Sequence, residues 1–150
     1  MKLIDLTVPL YIEILTNGAW SKEIPADVQI GIAADGTASV SAQETGLNKI
    51  RFSYAVDADM QEAYVYGDHW ERGYGDLIWS KETRALPWYC LYTDQENTCG
   101  YGVKVQPNSL CYWKNEKELL TLTLDIRNGT QPLYLNGREL VMAQLVAASY

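Results

Sequence analysis

The stretch Leu120-Thr121-Leu122-Thr123-Leu124-Asp125-Ile126-Arg127 decides the fold class. Leu120, Leu122, Leu124 and Ile126 take one side of an extended chain, and Thr121, Thr123, Asp125 and Arg127 take the other. Strict alternation is what a strand with one buried face requires, because successive side chains point to opposite faces. The run stops at Asn128-Gly129, and the same kind of dipeptide recurs at Asn17-Gly18, Asp35-Gly36 and Asn136-Gly137. Such pairs tolerate the positive φ angles of tight hairpin turns. Val28 to Ile32 and Ala38 to Ser41 flank Asp35-Gly36 and predict a hairpin. Leu133 to Leu135 and Leu140 to Val146 flank Asn136-Gly137 in the same way. Ile50, Phe52, Tyr54 and Val56 repeat the alternation, and Trp88 to Tyr92, Tyr101 to Val105 and Leu110 to Trp113 read as short aromatic strands. Helical patterning is confined to single turns at Thr45 to Lys49 and Asn115 to Glu118. Roughly nine to eleven short strands with regular turn signals predict an all-β, antiparallel β-sandwich. A length of 150 residues fits one such domain over 1–150, with a core of its own.

Composition narrows the function. The chain carries 12 Lys and Arg against 19 Asp and Glu, a net charge of −7. That balance disfavours nucleic acid and anionic membranes, both of which need clustered positive charge. No apolar run approaches the roughly 18 residues of a membrane span. Asp5 and Glu13 interrupt any signal-peptide core near the start. With only 1 histidine, a His-His metal site cannot be built and a Ser-His-Asp triad would have to use His69. Cys90, Cys99 and Cys111 are odd in number and none forms a C-x-x-C pair. Reduced thiols in a cytoplasmic protein are the simpler expectation, with a Cys90–Cys99 disulfide as the less favoured one. Gly73-x-Gly75 and Gly100-x-Gly102 lack the rest of a dinucleotide loop, and Asp57-x-Asp59 lacks the remaining EF-hand ligands. No cofactor, metal or catalytic residue is therefore expected from motifs.

The aromatic content is the first positive signal: 11 Tyr and 5 Trp but 1 Phe. Tyr and Trp join a flat apolar face to a polar edge, which suits half-wet surfaces such as sugar platforms, though the same rings also fill sandwich cores. The segment from Tyr66 to Leu77 breaks the strand rhythm with Gly67, Gly73 and Gly75 among Asp68, Trp70, Glu71, Arg72, Tyr74 and Asp76. It is too polar for a core strand and too aromatic for an idle loop, and loops on a rigid scaffold concentrate binding residues. Asp68, Glu71 and Asp76 are suited to acid–base work on a glycosidic bond or, equally, to an Arg72–carboxylate network that pins the loop. His69 reads as a solvent-facing loop residue.

Gly67-Asp68-x-Trp70-Glu71-Arg72-Gly73-Tyr74-Gly75-Asp76-Leu77 resembles a segment of large microbial α-galactosidase-like glycoside hydrolases, in the clan of melibiases and raffinose-synthase-like proteins. Cys99-Gly100-Tyr101-Gly102-Val103-Lys104-Val105-Gln106-Pro107-Asn108, Leu124-Asp125-Ile126-Arg127-Asn128-Gly129 and Asn136-Gly137-Arg138-Glu139-Leu140 extend the resemblance in the same order, from about Ile50 to Tyr150. It implies a sandwich of the supersandwich, galactose-mutarotase-like type, placed N-terminal to a (β/α)8 barrel. In such enzymes the barrel holds the two catalytic Asp residues of a retaining mechanism. That barrel would lie past Tyr150, so no catalytic carboxylate carries over. What carries over is a supporting role for Asp68, Trp70, Glu71 and Arg72, with a carboxylate holding sugar hydroxyls and Trp70 stacking on the ring face. The implied protein is a non-catalytic N-terminal domain that contacts a galactosyl-containing substrate through a barrel outside this chain. A free-standing carbohydrate-binding or protein-interaction sandwich is the alternative. Leu140 to Tyr150, apolar and uncharged, is the expected docking edge of a homo-oligomer.

Overall fold

The computed structural model describes residues 1–16, 18–67, 80–104 and 107–150. Among these, twelve strands and one short helix form two six-stranded antiparallel sheets packed face to face. The strands are β1 (Tyr11–Thr16), β2 (Ala19–Ser21), β3 (Val28–Ile32), β4 (Thr37–Ala42), β5 (Lys49–Ala55), β6 (Tyr64–Gly67), β7 (Ala85–Pro87), β8 (Tyr89–Thr93), β9 (Thr98–Val103), β10 (Leu110–Asn115), β11 (Leu119–Asp125) and β12 (Glu139–Ser149); helix α1 is Ala58–Glu62. The first sheet runs β2-β1-β5-β11-β10-β7 and the second β3-β4-β12-β9-β8-β6. The expected antiparallel β-sandwich is the observed architecture.

The alternation that predicted β11 sets its orientation. Leu120, Leu122 and Leu124 are fully buried against the second sheet, as are Ile50 and Phe52 of β5. Trp113 of β10 is buried as well and lies 6.4 Å from the Tyr101 ring of β9, so the two sheets meet at an aromatic contact. Its indole N–H donates to the Trp88 carbonyl at 3.1 Å, which satisfies the one polar atom the ring takes inside. The N-terminal segment closes one end of the core: Leu6 is buried and its carbonyl accepts from the Tyr54 hydroxyl at 2.8 Å. Two turns need glycine. Asn136 and Gly137 adopt φ of 53° and 85°, and Gly36 sits at φ 90° where a Cβ would overlap the Leu145 carbonyl oxygen.

Two expectations are corrected. Helix forms at Ala58–Glu62 and not at Thr45 to Lys49 or Asn115 to Glu118. The Asp57 carboxylate accepts the Met60 N–H at 2.8 Å and caps α1. Thr45 is instead bound to Asp27, and Asn115 pairs with Leu120 across the β10–β11 hairpin. The run Leu140 to Tyr150 is not an edge strand of its sheet: β12 lies between β4 and β9, with Glu139 to Gln144 paired to β4 and Leu145 to Ser149 paired to β9. It is apolar because it is the spine of the second sheet, with Met142, Ala143 and Leu145 buried. The cysteines follow the simpler expectation: Cys90, Cys99 and Cys111 are all free and buried, with Cys90 facing Tyr101 and Cys99 facing Tyr92 across the β8–β9 pair. Burial pushes the Cys90 thiol far above its ordinary pKa, so it stays protonated. No helix among the described residues is long and apolar enough to cross a membrane.

Candidate functional site

Asp68, Trp70, Glu71 and Arg72, together with His69 and Asp76, lie outside the described residues. The structure does define where that stretch begins and ends. β6, at the edge of the second sheet, ends at Gly67, and the chain is back beside it at Ser80. The Val65 and Ser80 backbones exchange two hydrogen bonds, Val65 N–H to Ser80 O at 2.7 Å and the reverse at 2.9 Å. Gly67 is buried against Leu86 and the Tyr89 carbonyl, where a Cβ would be too close to both. The Arg84 guanidinium donates to the Val65 carbonyl at 3.2 Å and braces the same point. The two feet of the segment are therefore held side by side.

The described residues also form a depression on the outer face of the first sheet. Register places its side chains in rows across the strands. Tyr11, Ser53, Thr121 and Lys114 stand in one row, and Glu13, Arg51, Thr123 and Tyr112 in the next. Leu15, Lys49 and Asp125 follow in a third, with Trp20 of β2 beside Leu15. The small residues occupy the two central strands, β5 and β11. They form a floor, and the taller rings and cations around them form walls. This explains why Ser53, Thr121 and Thr123 are only 1%, 7% and 3% exposed although they face outward. The enclosed volume is about 270 Å³.

The walls are organised by charge. The Arg51 guanidinium donates to Glu13 Oε1 through Nε at 3.1 Å and lies 3.0 Å from it through Nη2. The same guanidinium lies 4.0 Å over the Trp20 ring, and the Lys22 ammonium lies 3.9 Å over the Tyr11 ring. Lys114 pairs with Glu116 at 3.4 Å, with both side chains nearly half exposed. At the lower corner, burial works to raise the Asp125 carboxyl, but hydrogen bonds from Arg127 outweigh it and hold the group below the usual carboxylate range. On the floor, the Ser53 hydroxyl oxygen is buried and has no hydrogen-bond partner. An unpartnered buried hydroxyl costs about 1–3 kcal/mol, so its retention asks for an explanation. Among the described residues, no group of three or more His, Cys, Asp or Glu side chains could hold a metal ion.

Sequence reasoning singled out Thr121 and Thr123 as the outward side of β11 but not the depression they floor. Its other members come from four further strands, and only pairing register brings them together. Comparison with protein-family models, curated proteins and solved structures found no match.

Proposed function

We propose that the chain is a non-catalytic β-sandwich domain of an α-galactosidase-like glycoside hydrolase. In this reading the segment after Gly67 reaches the galactosyl unit. Asp68, Glu71 and Arg72 hold its hydroxyls and Trp70 stacks on its ring face, while the catalytic carboxylates belong to a separate barrel. The observation that carries the reading is the paired Val65–Ser80 clamp, which anchors both feet of that segment at one sheet edge. An exposed apolar cluster supports the accessory role: Leu3, Val8 and Leu10 line an open depression of about 530 Å³ at the N-terminal end. Such patches suit packing against another domain. Three reduced, buried thiols support a cytoplasmic setting. Self-association belongs to the same proposal, and with β12 inside its sheet it would use one of the edge strands β2, β3, β6 or β7. The test has two stages. The native gene product should have an intact mass well above the 16.9 kDa of this chain. In that protein, Trp70→Ala and Asp68→Ala should each lower galactoside turnover about tenfold, the loss of one good substrate contact. Unchanged turnover in both variants removes the proposal.

The depression on the first sheet favours a second reading, a carbohydrate-binding domain that works on its own. Its rings, hydroxyls and charged side chains are the groups that hold a polyol. A native mass equal to that of this chain, with retained glycan binding, would select it.

A further inference from the structure

We infer that the outer-face depression of the first sheet binds a carboxylated sugar, a uronic-acid unit, with Lys114 meeting the carboxylate and Ser53 a ring hydroxyl. The inference rests on the reading of that face as a carbohydrate site and specifies its ligand.

Charge gives the first reason. The chain as a whole has a net charge of −7, yet the depression is lined by Lys49, Arg51 and Lys114 against Glu13 and Glu116, while Asp125 at its corner is neutralised by Arg127 at 2.7 Å. Lys22 adds a further cation at the rim, over Tyr11. The sign of the protein is locally reversed, and such a spot draws anions from solution.

The rings give the second reason. A neutral-sugar platform needs an open aromatic face, but Trp20 already has Arg51 over it and Tyr11 already has Lys22. These rings present cations instead of awaiting a sugar, and a cation stacked on a ring loses less freedom when it meets an anion. Arg51 is committed to Glu13, at 13% side-chain exposure. Lys114 is not committed in that sense. Its partner Glu116 is solvent-exposed at 3.4 Å, a pair too weak to resist exchange for a ligand carboxylate.

The floor gives the third reason. Lys114 shares its row with Thr121 and Ser53. A bare carboxylate would leave the orphaned Ser53 hydroxyl unsatisfied, whereas a uronic acid offers ring hydroxyls beside its carboxylate. The volume of about 270 Å³ lies just below the roughly 300–1,000 Å³ of drug-sized ligand sites and suits a single sugar unit. Lys49 stands two rows away from Lys114 along the strands, so it faces a neighbouring unit of a chain and not the same carboxylate.

Calorimetric titration with trigalacturonate and with neutral β-1,4-galactotriose tests the inference. The acidic trimer should bind at least tenfold tighter than the neutral one, and its binding should weaken severalfold between 20 and 300 mM NaCl, as screening requires. Lys114→Gln should abolish the preference for the acid, and Glu116→Gln, which removes the internal competitor, should tighten binding severalfold. Lys114 is half exposed, so its replacement leaves the fold intact, and Lys49→Gln should cost less than Lys114→Gln. Equal binding of both trimers would overturn the carboxylate assignment and leave the sugar reading of this face standing. Binding of neither would remove that reading as well. Displacement of the acidic trimer by succinate or inorganic phosphate at equal concentration would mark a plain anion site and overturn the inference.

Discussion

The two sheets share one interior and differ on the outside. The outward positions of the second sheet are mostly uncharged: Thr37, Ser39 and Ser41 on β4, Gly100 and Gly102 on β9, Tyr89 and Leu91 on β8, Val146 and Ala148 on β12, with Tyr64 and Tyr66 at its edge and Glu139 as a charged exception. The outer face of the first sheet carries three lysines or arginines, two tyrosines, a tryptophan and two glutamates around a floor of hydroxyls. Both faces satisfy the same alternation, which constrains only the inward set. The outward set is free to be filled for other ends, and here the two sheets have been filled differently. A face whose centre is glycine and serine has few charged groups with which to hold a ligand. A face with walls, floor and net positive charge has a great deal.

The comparison predicts that damage to the shared interior exceeds any damage to an outer face. Trp113 joins the sheets through Tyr101 and is fully buried, so Trp113→Ala should cost about 3–5 kcal/mol in urea unfolding. That is a large part of the roughly 5–15 kcal/mol that holds a domain together. A loss under about 1 kcal/mol would mean the sheets are held elsewhere.

Glycines sharpen the same contrast. Gly36 is buried at φ 90° in the β3–β4 hairpin, accepts from the Leu145 N–H at 2.8 Å and has backbone where a Cβ would go. Strain and overlap together put Gly36→Ala at about 2–4 kcal/mol. Gly100 lies on the outer face of the second sheet, and its added Cβ would meet chiefly the tip of Leu91 at 2.9 Å. That tip can turn aside, so Gly100→Ala should stay within about 1 kcal/mol of the parent. Thermal melts of the two variants side by side measure the difference. Equal losses would show the outer face to be packed as tightly as the hairpin turn.

What could be read from the sequence follows the same division. The inward set was readable, because Leu120, Leu122 and Leu124 alternate within one element and local order is all that alternation needs. The Asp35-Gly36 hairpin was readable for the same reason, whereas Asn136-Gly137 turns the chain without the expected hairpin, because Leu133 bridges to Leu47 and β12 pairs with β4 and β9. The place of β12 was not. An apolar run without charges looks the same whether it is an edge or a spine, and only long-range pairing with β4 and β9 decides. Helix α1 was hidden by its length of five residues, although Asp57 is the kind of residue that starts helices. The depression was hidden most deeply. Tyr11, Trp20, Ser53, Lys114 and Thr121 are spread over most of the chain, and a shift of one residue in any strand would turn its members inward.

A smaller effect, tuned by pH, tests how the second sheet is tied at its β3–β4 end. Asp27 precedes β3, and its carboxylate accepts from the Thr45 hydroxyl at 2.6 Å and from the Thr45 and Glu44 N–H groups, each at 2.8 Å. The Thr45 hydroxyl bond, helped by the two backbone bonds, lowers its pKa to about 2. A carboxyl with a lower pKa folded than unfolded stabilises the fold above its unfolded value, near 3.9, and that gain fades as pH falls toward 2. Asp27→Asn should therefore melt below the parent at pH 7, and the gap should narrow between pH 4 and pH 2. A gap that holds constant across that range would mean the carboxylate charge contributes nothing to the tie.

The smallest effect on stability carries the sharpest contrast between the faces. Ser53→Ala removes a buried hydroxyl that has no partner and leaves the backbone pairing of β5 with β1 and β11 in place. The deletion relieves an unmet hydrogen bond, so stability should stay level or rise by up to about 1 kcal/mol. Binding of trigalacturonate should weaken several-fold in the same variant, because the floor has lost the group that meets a ring hydroxyl. A protein that gains stability and loses ligand from one atom holds that atom for the ligand. If stability falls by more than about 1 kcal/mol, the hydroxyl has a structural partner such as a held water. If stability is level and binding is untouched, Ser53 is a bystander and the floor is no site.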